Sequence, residues 1–173
     1  MNHRNNSTLF TGMVFDVEQF ETEIGDKGWH TYQVIRHPGG VGVLPLHDDG
    51  TVTLIRQGRP AVATTLLELP AGRLNPDEDP ETCGRRELLE ETGLVAGRFH
   101  PLGFIHSSPG VFDEVIHLFA ATGLSQMTAL PEDDEQIEPV RLPLSDARAM
   151  ARDGRISDAK TIAALFRTEE EYR

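Results

Sequence analysis

The chain has 173 residues, 38% of them hydrophobic and 25% charged, with a formal net charge of −12 at pH 7. That length and composition describe a single globular domain with its own core, and the acidic balance argues against nonspecific nucleic-acid binding, which needs a broad basic surface to displace counterions from phosphate. The start MNHRNNSTLF lacks the apolar core of a secretory signal and no apolar run approaches the ~18 residues of a membrane span, so a soluble, cytoplasmic protein without a membrane partner is predicted; the single cysteine, Cys83, excludes an intrachain disulfide.

In chain order, residues 1–10 are polar and read as loose. MVFDVEQFET alternates apolar and polar positions as a strand does, Gly25-Asp26-Lys27-Gly28 makes a turn, and WHTYQVIRH follows as a second strand, which predicts an N-terminal hairpin. GGVGVLPLHDDGTVTLIRQ reads as another hairpin, two β-rich runs around His47-Asp48-Asp49-Gly50. TTLLELPAG is a short strand ending at Pro70-Ala71-Gly72. A helix is predicted from Pro80 to Glu91, with Asp79 as its cap, Pro80 in its first turn and Gly93 as its stop. FHPLGFIHS and EVIHLFAATGL are strands with Ser108-Pro109-Gly110 between them, and LPEDDEQIEPVRLPL starts as an acidic loop and becomes a strand. LSDARAMARDG and SDAKTIAALFRTEEEYR are the last two helices, with Ser145 and Ser157 as caps and Ile162, Leu165 and Phe166 on one side. Strands interspersed with helices in one compact chain predict an α/β or α+β sandwich.

The stretch GRLNPDEDPETCGRRELLEETGL concentrates acidic residues on its helix. Positions three and four apart share a helix face, so Glu87, Glu90 and Glu91 project together. Arg86 can reach Glu90, which leaves Glu87 and Glu91 as an i, i+4 carboxylate pair that costs a few tenths of a kcal/mol in isolation. A hard divalent cation turns that cost into binding, because Mg²⁺ takes oxygen ligands from one or two carboxylates together with substrate phosphates. By spacing alone, an exposed glutamate-rich helix face is the better reading.

The complete pattern of the stretch alters that balance. Gly72, Glu78, Arg86-Glu87-Leu88, Glu90-Glu91, Gly93 and Leu94 stand at every specified position of the Nudix box, so the chain resembles the Nudix hydrolases, metal-dependent enzymes that cleave a nucleoside diphosphate linked to another group. The resemblance implies a Nudix-type α/β/α sandwich with a mixed central sheet and an N-terminal β-hairpin extension. Residues 1–40 would serve dimerisation and substrate contact, and residues 41–173 would form the hydrolase domain. It implies Glu87, Glu90 and Glu91 as metal carboxylates with the carbonyl of Ala71 as a backbone ligand, Mg²⁺ as the metal with Mn²⁺ as a substitute, Arg86 and Glu78 as a pair that orients the helix, and Gly72 and Gly93 as turn formers.

Outside the box, SSPGVFDE, with Pro109, Gly110 and Glu114, is similar to a loop of the ADP-ribose pyrophosphatase branch that other nucleotide-sugar hydrolases share. Arg59 in IRQGRP matches a position at which this branch contacts the diphosphate, a task suited to the guanidinium fork, and Arg56 has the opposite strand parity. In PEDDEQIEP the resemblance places Glu135 as a further metal ligand. The general base falls at Asp133, where the branch usually carries a glutamate, so Glu132, Asp133 and Glu135 all stay open for that role. The branch commonly forms homodimers through its N-terminal strands, and Phe15, Phe20, Trp29 and Tyr32 are candidates to stack on a nucleobase, with core packing the commoner use of such residues. The resemblance thus implies hydrolysis of ADP-ribose to AMP and ribose 5-phosphate; the alternatives are another nucleoside diphosphate sugar such as GDP-mannose, or a sensor that binds without cleaving.

Overall fold

A computed structural model describes residues 1–128, 136–169 and 172. These divide into two compact units, one formed by Met1–Gly39 with His106–Val115 and the other by Gly40–Ile105 with Ile116–Arg173.

The first unit is built on an antiparallel sheet of β1 (His3–Thr11), β2 (Asp16–Glu23) and β3 (Trp29–Arg36), in that spatial order. The predicted hairpin is thus β2–β3, and the residues read as loose form a third strand. Their side chains are exposed throughout, so no alternation was there to see; cross-strand polar pairs hold β1 instead, Arg4 Nε to Glu21 at 2.7 Å and His3 to the Thr22 hydroxyl at 2.8 Å. The Ser108–Glu114 segment docks on β3 through Ile35 N to Val111 O at 2.8 Å and Asp113 N to Ile35 O at 3.1 Å.

The second unit holds two sheets. One is mixed, in the order β7 (Ala71–Arg73), β4 (Gly40–Pro45), β9 (Val115–Gln126), β8 (Leu94–His106); β4 runs parallel to β9 and antiparallel to β7. The other is antiparallel, in the order β10 (Ile137–Pro143), β5 (Thr51–Arg59), β6 (Thr64–Glu68). The apparent hairpin at residues 39–57 is therefore a corner between sheets. Its two arms share the Leu46–Val52 bridge and a His47–Thr53 side-chain bond of 2.8 Å around the Asp48–Gly50 turn, before the chain leaves one sheet for the other. The cause is visible in β4, which is buried along its whole length. A strand covered on both faces reads as a continuous apolar run and finds its partner in a parallel neighbour.

Val41 and Val43 of β4 pack with Cys83 and Leu88 of α1 (Pro80–Thr92), whereas Leu44 joins a second core with Ala147 of α2 (Leu144–Arg152) and Ala164 and Leu165 of α3 (Ala159–Arg167). This is the α/β/α sandwich with a mixed sheet that the sequence implied. α1 comes close to the sheet at Gly84, where a Cβ would lie 3.0 Å from Val43 Cγ2 and 3.2 Å from Val41 Cγ1.

The caps of the last two helices differ from the sequence reading. Pro143, not Ser145, precedes α2, and Asp158, not Ser157, caps α3, accepting from Thr161 N at 2.9 Å and from the Thr161 hydroxyl at 2.6 Å. Of the three apolar residues assigned to one side of α3, Leu165 is buried while Phe166 is 88% exposed. Among the described residues, no helix is long and apolar enough to cross a membrane.

Candidate active site

The loop–helix–loop from Ala71 to Gly93 is fixed at both ends by local chemistry. Asp79 accepts from Glu81 N and Thr82 N at 3.1 Å each, which satisfies helix-start donors, and Gly93 closes α1 in the left-handed region at φ 70°. Between them, Arg86 acts as a hub. Its Nε and Nη2 grip the two Glu78 oxygens at 3.0 Å each, its Nη1 reaches Glu87 Oε1 at 2.6 Å and Glu90 Oε2 at 3.1 Å, and Nη2 also donates to Arg73 O at 3.2 Å. Arg86 therefore restrains Glu87 as well as Glu90, which goes beyond the single contact the helix spacing indicated. The Arg86 guanidinium, with a backbone bond from Asn75, holds the Glu78 carboxyl down at about 2, and its own pKa is raised in return, chiefly by Glu78.

Glu91 is only 3% exposed, and one of its oxygens accepts from the Ala71 backbone N–H at 2.8 Å. Glu87 lies against the neighbouring residue, since a Cβ on Gly72 would fall 1.9 Å from Glu87 Oε1. The two carboxyl groups separated by one helical turn thus converge on the Ala71–Gly72 backbone. Gly72 does not have a positive φ; its role is to leave room for a carboxylate rather than to make a turn. Among the described residues, no three His, Cys, Asp or Glu side chains already stand at metal-holding spacing. Arg86 accounts for part of this, because it draws one oxygen each of Glu87 and Glu90 to itself. The donor set still fits a hard divalent cation: oxygen ligands, aimed by a second row of hydrogen bonds, beside a backbone left open by a glycine. Cys83 is buried, its thiol donates to Arg73 O at 3.4 Å, and burial first, then Glu78, pushes its pKa up to about 12, so it stays a neutral core residue.

Arg59, at the end of β5, lines an open depression of about 550 Å³ with Gln57, Gly58, Pro60, Ala63, Thr64, Thr65 and Gln136. Its pKa is raised first by its bond to Glu68 and, among other carboxylates, by the field of Glu91, which puts the two site residues within electrostatic reach. Arg56 is exposed and faces Glu138 across the sheet at 3.8 Å, as its opposite parity required. The Arg59 guanidinium grips the buried Glu68 through Nε and Nη2 at 2.9 Å each, and Lys160 Nζ bonds the same carboxylate. Glu68 and Lys160 were missed in the sequence. The signal lay in a lysine in the first turn of a helix, where the macrodipole disfavours a cation without a partner.

The remaining candidates fall in the first unit or outside the described residues. Pro109 and Gly110 form a turn closed by Val111 N and Phe112 N donating to Ser108 O at 3.1 and 2.9 Å. Glu114 lies 3.4 Å from His37 Nδ1; because the Gly39 N–H donates to that same nitrogen at 3.1 Å, the proton of a neutral His37 sits on Nε2. The Arg4 guanidinium covers one face of Trp29 at 4.1 Å. Phe20 is buried and stacks on Tyr32 at 6.4 Å, which is core packing; Tyr32 and Phe15 are exposed. Glu132, Asp133 and Glu135 lie outside the described residues.

A mixed-sheet sandwich carrying a carboxylate helix, with an arginine at an open depression on its second sheet, defines a class of proteins, and comparison with known proteins places the chain within it. Residues 36–165 match the NUDIX domain, and the chain belongs to the Nudix family. It is 34% identical over 159 residues to the ADP-ribose pyrophosphatase of Bacillus subtilis, a match that covers 91% of this chain and 86% of that protein. It is 40% identical over 182 residues to the GDP-mannose pyrophosphatase of Yersinia pestis, covering 88% of this chain and 91% of that protein. A crystal structure described as an ADP compounds hydrolase has the same fold, with a TM-score of 0.82 at 24% identity over 96% of this chain and 90% of that one.

Proposed function

We propose that this Nudix hydrolase cleaves the diphosphate of ADP-ribose to AMP and ribose 5-phosphate, using Mg²⁺, with Mn²⁺ as a substitute. The observation that carries the reading is the convergence of the Glu87 and Glu91 carboxylates on Ala71–Gly72, within electrostatic reach of Arg59; the relationship to ADP-ribose pyrophosphatases supports the choice of substrate. Glu87, Glu90, Glu91, the Ala71 carbonyl and Glu135 would hold the metal, which when bound neutralises phosphate oxygens and acidifies a water.

The chain's own groups supply the rest. Arg59 binds the diphosphate through the edge of its guanidinium turned away from Glu68, and Arg86 keeps the helix carboxylates aimed before substrate arrives. A carboxylate of the acidic segment, Glu132, Asp133 or Glu135, takes the water proton, and Glu114 assists from the Pro109-Gly110 loop. Single alanine substitutions at the three acidic positions identify the base as the one with the largest fall in kcat, and equal small losses at all three would remove the assignment.

Trp29, Pro109 and Gly110 would contact the nucleoside, delivered in a homodimer in which one chain's N-terminal strands serve its partner. The exposed Leu9, Phe10, Met13, Val14 and Phe15 at the β1–β2 end support that pairing. Sedimentation equilibrium should give twice the 19.2 kDa chain mass; a monomer at micromolar concentration would contradict it. The acidic charge agrees with an enzyme that does not bind nucleic acid, and a cytoplasmic location is part of the same proposal. The reaction is tested by metal-dependent release of AMP from ADP-ribose.

A further inference from the structure

The start of α3 carries a cluster that the proposed reaction does not use. Lys160 Nζ bonds Glu68 Oε2 and lies 3.0 Å from Asp158 Oδ1, while Asp158 Oδ2 is committed to Thr161. Glu68 is 1% exposed, and it holds Arg59 on its other side with two bonds of 2.9 Å. One buried carboxylate therefore sits between two cations. Lys160 anchors that carboxylate from its other side and is itself paired with Asp158, so two cations meet two carboxylates and Glu68 is held fixed beneath Arg59. The bidentate grip also fixes the guanidinium plane through Nε and Nη2 and turns the Nη1 edge, a second fork, away from Glu68. Thr161 adds a further tie, accepting from Leu69 N at 2.8 Å, next to the Pro70-Ala71 turn.

We propose that Lys160, acting through the buried Glu68, is the positioning residue that keeps the Arg59 guanidinium oriented for a substrate diphosphate. Lys160 does not line the Arg59 depression, and it acts without touching the ligand. The inference rests on the reading of Arg59 as a diphosphate contact.

Binding tests both links and separates them. Calorimetry in EDTA with ADP-ribose and with GDP-mannose, which share a purine ribonucleoside diphosphate and differ in the purine and the terminal sugar, reads the arginine contact apart from metal and turnover. Lys160→Gln, which keeps a donor but not the charge, should weaken both ligands by about tenfold, the scale of one charge-assisted hydrogen bond. Lys160→Arg should stay within about twofold of the wild type on the same scale, and in an Arg59→Ala background Lys160→Gln should bring no further loss. Lys160→Met, with the same apolar stem, replaces Lys160→Gln if the latter does not fold. Wild-type affinity in the uncharged variant, or an equal loss with and without Arg59, would overturn the role of Lys160. An Arg59→Ala protein that binds as tightly as wild type would overturn the diphosphate contact itself, and the Lys160 inference with it.

Discussion

Glu87 and Glu91 show how little of a glutamate's role is visible in its spacing. The side chains are one helical turn apart in any helix, and most such pairs are merely solvated. Here Glu91 is nearly buried against the Ala71 N–H, and Glu87 occupies the space a Gly72 side chain would take. That yields a prediction specific to this geometry. A Cβ at Gly72 would meet the far end of a flexible side chain, so Gly72→Ala displaces the carboxylate at little cost to the fold. Turnover should fall by about two orders of magnitude, the scale reported for disturbing the groups that aim metal ligands, while the melting temperature shifts by only a few degrees, about 1 kcal/mol. Kinetics and calorimetry on one preparation check it; a large loss of stability with kcat preserved would mean that Gly72 is needed for the backbone alone. The sequence pointed to Gly72 but gave it a turn-forming role, because a motif records which residue stands at a position and not what its missing side chain would strike.

At the scale of the element, α1 was legible almost to the residue, since its cap, its first-turn proline and its stop are all local chemistry. The cap of α3 was misread because the adjacent Ser157 and Asp158 are both competent, and that of α2 because the helix starts at Leu144, before Ser145, behind a proline that makes no side-chain cap bond. The paired arms at residues 39–57 failed for a different reason: turn chemistry is local, but whether two strands join one sheet depends on partners far away, and β4 found β9.

The Glu78–Arg86 tie also makes a prediction about α1 and its loop. The folded Glu78 carboxyl is held at about 2, below its ordinary value near 4.5. Its stabilising contribution is therefore full above pH ~4.5 and is lost as pH falls toward about 2, when the native state must take up the proton. Melting temperatures of wild type and Glu78→Gln should differ at pH 7 and converge toward pH 2. A constant difference over that range would show that the two side chains contribute by packing rather than by charge.

For the whole molecule, the family was readable because the box is contiguous in sequence and each of its positions is chemically demanding. The Arg59–Glu68–Lys160 cluster was not, since Glu68 and Lys160 are 92 residues apart and meet only when α3 packs beside β6. The third N-terminal strand was equally hidden, an exposed polar segment held by cross-strand pairs rather than by burial. A net charge of −12 makes the protein a poor partner for a substrate diphosphate unless fixed cations gather at one place. In the proposed reaction Arg59, oriented by Lys160 through Glu68, and a divalent metal at the glutamates would provide that place. The most direct test is hydrolysis of ADP-ribose by the purified protein in Mg²⁺, with GDP-mannose, ADP-glucose, a dinucleotide and FAD as comparators and EDTA and Glu91→Gln as controls. The account predicts AMP and ribose 5-phosphate from ADP-ribose at the highest kcat/KM, abolished by EDTA and nearly so by Glu91→Gln; tight binding of ADP-ribose with no turnover in saturating Mg²⁺ would contradict it.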